Sequence, residues 1–288
     1  MSGRLGAGSG SVGEGPIARG LLTGAALVLM GGVLVVPIVL VFQQAFSAGW
    51  GALVAALTEP DATDAMRLSL LVTAVVVPLN TGFGLCAAWV LTRHHFWGRR
   101  VLLPLIGLPF SVSPVVAGLV YVLLFGRTGW FGVAPFGMPI LFAWPGLVLA
   151  TVFVTLPYVV AGLVPVMAAA GREEDEAALT LGASFGQLLW LVVLPRIRWP
   201  LLQGVLLCTA RALGEFGAVA VVSGRIAGLT NTMPLEVEAL YNAYDLTAAF
   251  GLAAVLASLA LMTMALRAIV DWAVARTVRL GQAAVLAP

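Results

Sequence analysis

Between Arg127 and Arg172 the sequence runs for 44 residues without a charged side chain. About 20 mostly apolar residues cross the roughly 30 Å hydrocarbon core of a bilayer, so this run exceeds what one membrane helix needs. The rest of the chain is of the same kind. Of its 288 residues 61% are hydrophobic and only 10% are charged, against about 25% charged in a soluble domain. Too little polar surface exists to dissolve a globule of this size, which excludes an ordinary cytosolic or secreted enzyme. The chain is an integral membrane protein.

All 15 basic residues are arginine. A P-loop needs lysine on the β- and γ-phosphates, and a Schiff-base enzyme needs it as nucleophile. Neither can be built here, so ATP hydrolysis through a Walker motif of its own is excluded. A net charge of +2 leaves no nucleic-acid footprint. Cys86 and Cys208 lie inside apolar runs and read as small buried hydrophobes rather than a disulfide. The first 16 residues hold six glycines and read as a disordered tail. No short apolar region with a small-residue cleavage site follows, so the first apolar run reads as a retained helix.

Reading between charges predicts six spans: Gly20 to Phe42, Leu68 to Thr92, Val101 to Phe125, Pro139 to Val166, Trp199 to Val222 and Leu246 to Leu266. Residues Gln43 to Asp64 and Thr128 to Met138 are predicted as loops. With the N-terminus inside, 11 arginines fall on the cytoplasmic side and three outside, which sets the orientation. An even number of spans returns the C-terminus to the cytoplasm. The predicted fold is all-α and polytopic, because backbone in lipid must satisfy its own hydrogen bonds.

The segment Gly171 to Arg198 is the richest in pattern. Glu173, Glu174, Asp175 and Glu176 open a helix and complement its dipole. Ala177 and Ala178 leave a shallow face for another protein, Gly182 ends the helix, and a second helix is predicted to stop at Leu194, before Pro195. The residues alone also fit an amphipathic surface connection with no partner.

Glu176-Ala177-Ala178, then Gly182, Val192, Leu194 and Pro195, resembles the EAA motif of ABC importer permeases, with Val in place of the usual Ile. The segments Leu108 to Gly118, Ala212 to Val219 and Val221 to Tyr244 look like the sulfate/thiosulfate branch of that family. The resemblance covers roughly Arg19 to Trp272. It implies a type I importer permease in a bacterial inner membrane, with a transmembrane domain over 19–272 flanked by cytoplasmic tails at 1–18 and 273–288. It implies that the loop 171–198 couples to an ATPase subunit through Glu176, Ala177, Ala178, Gly182, Leu194 and Pro195. The implied partners are a second homologous permease, an ABC ATPase dimer holding ATP and Mg, an extracytoplasmic sulfate-binding protein and membrane lipid. No cofactor and no catalysis are expected on this chain.

Ionisable residues inside a membrane are functional candidates, because lipid penalises them by several kcal/mol. Arg211 and Glu215 are four apart and can pair on one helix face. Such a pair either holds the bundle together or lines the path of an anion. In the third span Pro104, Pro109 and Pro114 recur around Ser111 and Ser113. This is either a kinked packing helix whose serines bond their own backbone, or a broken helix aiming donors at an anion. Asn80 and Thr81 are expected to bridge helices. His94 and His95 have no ligand-spaced neighbours and read as part of a positive-inside loop. Pro234 to Asp245 reads equally as a lip for a binding protein or as an interfacial helix.

Importing a divalent anion against about 150 mV costs roughly 7 kcal/mol before any concentration gradient, which favours coupling to ATP. The expected function is import of sulfate or thiosulfate. Molybdate or tungstate import, an ion-coupled secondary carrier and an intramembrane enzyme are the competing readings.

Overall fold

The computed structural model describes residues 16–132 and 137–286, and statements of absence below refer to these residues. The described residues form a bundle of helices. Helix α1 (Pro16–Phe46) is followed by α2 (Trp50–Thr58) and α3 (Pro60–Arg93). Then come α4 (Arg99–Ser111), α5 (Pro114–Phe125), α6 (Trp144–Ala169), α7 (Glu173–Thr180) and α8 (Phe185–Gln187). A π-helical stretch, Leu188–Val193, joins α8 to α9 (Leu194–Leu213); α10 (Gly217–Val222), α11 (Met233–Asn242) and α12 (Leu246–Leu286) complete the chain.

Five helices are long and apolar enough to cross a membrane, and α4 with α5 makes a sixth if that bent pair is one span. The core is the triangle of α3, α6 and α9. Around Val159 the backbones close in: a Cβ on Gly84 would lie 2.5 Å from its Cγ1, and one on Gly204 3.2 Å from its Cα. Where lipid gives no hydrophobic drive between helices, such close contact is what holds them. Asn80 of α3 donates to Thr155 Oγ1 at 2.7 Å and the Val152 carbonyl at 3.3 Å on α6, and to Cys208 Sγ on α9 at 3.8 Å. Thr81 instead bonds the Val77 carbonyl of its own helix and bridges nothing.

Several sequence expectations are corrected. The predicted loop Gln43 to Asp64 is mostly helix, because Pro60 fits the first turn of α3 and starts it early. The third span is not a continuous kinked helix: α4 and α5 meet at 107°. Helix α4 ends at Ser111 with Val112 extended, and Ser113, held out of the helical region by the following Pro114, leads into α5, whereas Pro104 and Pro109 stay inside α4. The fifth span does not run to Val222; its helix spans Phe185–Leu213 and breaks at Gly214. Pro195 does not stop the second helix of the loop. The π-helical turn before it absorbs the ring and the missing N–H, and the rod continues. Cys208 is buried, but Cys86 faces outward from α3.

Residues 1–15 of the predicted N-terminal tail lie outside the described residues, and 16–18 are already helical. At the other end α12 carries on through the predicted tail as far as Leu286.

Candidate functional site

Two constellations stand at opposite ends of α9. The first is built on α7. Its four acids start the helix, and its C-terminus closes with Gly182 at φ +88°. There the Gly182 N–H reaches the Leu179 carbonyl and the Ala183 N–H reaches that of Ala178, a Schellman closure that a left-handed glycine permits. Ser184 and Gln187 then cap the next helix reciprocally. Glu176 and Ala177 face outward, while Ala178 turns inward against the cluster that holds Leu188 and Val193. The two alanines therefore do not share one docking face, because neighbouring helical residues point about 100° apart. Leu179, Phe185 and Leu181 (89% exposed) add apolar surface beside Glu176. Leu194 is half-buried and Pro195 exposed.

In the sequence Asp175 is one acid among four. It is 5% exposed and lies between two arginines. Arg93 Nε is 2.6 Å from one carboxylate oxygen and Arg196 Nη2 is 3.0 Å from the other. Arg196 also reaches Glu174 at 3.0 Å, and Arg93 donates to the Met167 carbonyl. Helical spacing could have separated Asp175 from Glu176, since Asp175 shares its face with the inward Ala178. Its partners, 82 positions before it and 21 after it, are not local in sequence.

The second constellation is the meeting of two helix breaks. Helix α10 packs on α5 so closely that a Cβ on Gly217 would lie 2.9 Å from Pro114 Cβ. One on Gly118 would lie 2.8 Å from the Ala218 carbonyl oxygen. Ser111 and Ser113 are exposed at the first break, and their hydroxyls make no hydrogen bond among the described residues. At the second break Arg211 Nη1 pairs with Glu215 Oε2 at 2.7 Å. The pairing is as expected but its geometry is not, because Glu215 lies beyond the end of α9 rather than on its face. Glu215 is 2% exposed, and its other oxygen accepts the Ala218 N–H at 3.0 Å, holding the start of α10. Arg211 is partly open to solvent. No hydrogen bond or ion pair joins Ser111 or Ser113 to this pair among the described residues.

His94 and His95 are exposed at the turn between α3 and α4. Helix α11 buries Leu235 and Glu236 and leaves Tyr241 exposed, with Tyr244 exposed in the turn that follows. Burial and the nearby charge of Asp61 raise the pKa of Glu236, while the hydrogen bond from Asn231 lowers it.

A family profile described as the binding-protein-dependent transport system inner membrane component matches residues 80–279. The chain belongs to this family. Among relatives of this permease, the sulfate transport system permease protein CysW of Synechocystis sp. is 50% identical over 253 residues, 87% of this chain and 92% of that protein. The sulfate transport system permease protein CysT of Escherichia coli is 35% identical over 246 residues, 85% of this chain and 89% of that protein. The fold is shared with a chain of a bacterial ABC transporter involved in the import of the acidic polysaccharide alginate, at a TM-score of 0.71 and 15% identity over 90% of this chain and 97% of that one.

Proposed function

We propose that this chain is one of two permease subunits of an ATP-driven importer of sulfate or thiosulfate, embedded in a bacterial inner membrane with both termini cytoplasmic. The observation that carries the reading is the arrangement of α7, which turns Glu176, Ala177 and apolar neighbours outward from a helix whose opposite face is anchored. A surface of that kind suits a groove in a separate ATPase subunit. The substrate follows from the CysW relative, and the CysT relative supports a homologous second permease.

In this reading ATP and Mg reside on the ATPase dimer, and no covalent chemistry occurs on this chain. Glu176, Ala177, Ala178 and Gly182 present the coupling helix, and Leu194 and Pro195 begin the rod behind it. Rigid-body movement of α7 on ATPase closure passes to α9 and rocks the breaks at Ser113 and Gly214 between inward- and outward-facing states. There Ser111, Ser113 and Arg211 offer hydroxyls and positive charge to the passing anion, and Glu215 holds Arg211 until the anion competes for it. An extracytoplasmic binding protein delivers the anion to the outer face, where Tyr241 of α11 and Tyr244 of the turn after it are exposed.

Labelled-anion uptake in proteoliposomes containing the whole assembly tests the reading. ATP-dependent sulfate uptake with weak competition from molybdate is expected. ATP-dependent molybdate uptake without sulfate would replace the substrate, and uptake indifferent to ATP would overturn the coupling.

A further inference from the structure

We infer that Asp175 is a positioning residue that locks the α7 coupling helix to the membrane rods, so that force from an ATPase reaches the pathway; this rests on the coupling role proposed above. Each oxygen of its carboxylate takes a different arginine. Oδ2 meets Arg93 at the end of α3, and Oδ1 meets Arg196 in the first turn of α9. The clamp extends sideways: Arg93 Nη1 donates to the Met167 carbonyl in the last turn of α6, and Arg172 Nη2 donates to the Thr92 carbonyl, both at 3.1 Å. One buried carboxylate thus gathers the ends of all three core helices onto a helix of eight residues.

Two further features make this a transmission element. Helix α7 is flanked by Gly171 at φ +68° and Gly182 at φ +88°, and nothing lies within 4 Å of a Cβ built on either. Neither glycine brings a side chain that would pack the helix ends against the rods, while the Schellman turn at Gly182 closes the C-terminal end on itself. Its apolar attachment is slight, since Ala178 is the one α7 residue packed into the core clusters. With little apolar packing, the buried Asp175 ion pairs are the main link from the helix to the rods, beside the exposed Glu174–Arg196 pair and the Ala178 contact. Those pairs are 7% exposed on the Arg93 and Asp175 side chains, so salt and water screen them weakly. Neighbouring Glu174 is the internal contrast. It also touches Arg196, but its own side chain is 65% exposed, and its contribution is expected to be small.

The test measures anion transported per ATP hydrolysed in the reconstituted complex, alongside ATPase pull-down and thermal unfolding. Uptake driven by ATP in the unsubstituted complex is the control for the parent reading, and its absence overturns both. Given that control, Asp175→Asn is expected to keep the ATPase bound and hydrolysing while the transport-to-hydrolysis ratio falls by about fivefold or more. Asp175→Glu restores part of the ratio, and Glu174→Gln leaves it unchanged. Arg196→Gln removes one arm of the clamp while Arg93 keeps its partner. It lowers the ratio less, and it carries the test if Asp175→Asn does not accumulate. An unchanged ratio in both variants, or uptake and hydrolysis falling in proportion, overturns the clamp and leaves Asp175 a purely structural role.

Discussion

Arg196 and Arg211 sit at the two ends of α9, and each is held by an acid outside that helix: Asp175 at one end, Glu215 at the other. Fifteen residues of helix separate them, about 22 Å at 1.5 Å per residue. The rod between them is packed on α3 and α6 around Val159.

Glu176 is exposed and makes no ion pair or side-chain hydrogen bond among the described residues, so its substitution costs only its interaction with the helix dipole, about 0.3–1 kcal/mol. Glu176→Lys is expected to insert and unfold like the unsubstituted protein while retaining far less ATPase in a pull-down. Undiminished capture would remove α7 from the coupling surface.

The Arg211–Glu215 pair is asymmetric. Removing Arg211 leaves a carboxylate that is 2% exposed without its counter-charge, whereas removing the charge of Glu215 leaves an arginine whose side chain is 29% exposed. Arg211→Ala is expected to lower stability by about 2 kcal/mol, less than for a fully buried pair because water reaches the guanidinium. Glu215→Gln changes it little, since its amide oxygen can still accept the Ala218 N–H. Thermal unfolding in detergent compares the two, and equal losses would contradict the asymmetry. Sulfate uptake separates the roles: retained uptake in Arg211→Ala takes that residue out of the pathway.

The crossing of α5 and α10 has no spare volume. Gly217→Val places carbon where Pro114 Cβ already stands, and overpacking of this kind costs about 1–3 kcal/mol. The strain falls at the two breaks and not at α7. Uptake should drop sharply while ATPase pull-down is unaffected. Wild-type uptake would show that the breaks need not approach one another.

Helix α11 carries a pH signature. Because the pKa of Glu236 is raised in the folded protein, mainly by burial and then by Asp61, folding takes up a proton there. Its stabilising effect is complete below the ordinary glutamate range and is lost as pH rises through the raised value. Glu236→Gln, which can keep the hydrogen bond from Asn231, is expected to raise the thermal midpoint at neutral pH. The gain should shrink as the pH is lowered. A gain independent of pH would place the effect in packing rather than in ionisation.

The long uncharged runs already exclude a soluble globule, and the spacing from Glu176 to Pro195 is already legible as a resemblance to the EAA loop. Both are properties of neighbours along the chain, since a helix sixteen to thirty residues long needs only local apolarity to prefer lipid. Where those helices break was less legible. Pro114 marks one break but Pro104, Pro109 and Pro195 mark none, because a proline's effect depends on whether the surrounding turns can rearrange. Gly214 to Phe216 contains no proline at all, and that break is held by Glu215 capping α10 and by Gly217 lying against Pro114.

The partners of Asp175 are the clearest case of what local pattern cannot carry. In the sequence it is the third of four consecutive acids, chemically indistinct from its neighbours. In the fold it is the one that is buried, because α3 and α9 bring Arg93 and Arg196 to its two oxygens from opposite directions along the chain. Hydrophobic patterning assigns each segment to lipid or water one segment at a time. Ion pairs between segments depend on how the assigned helices pack, and that is settled only when all three rods of the core are in place.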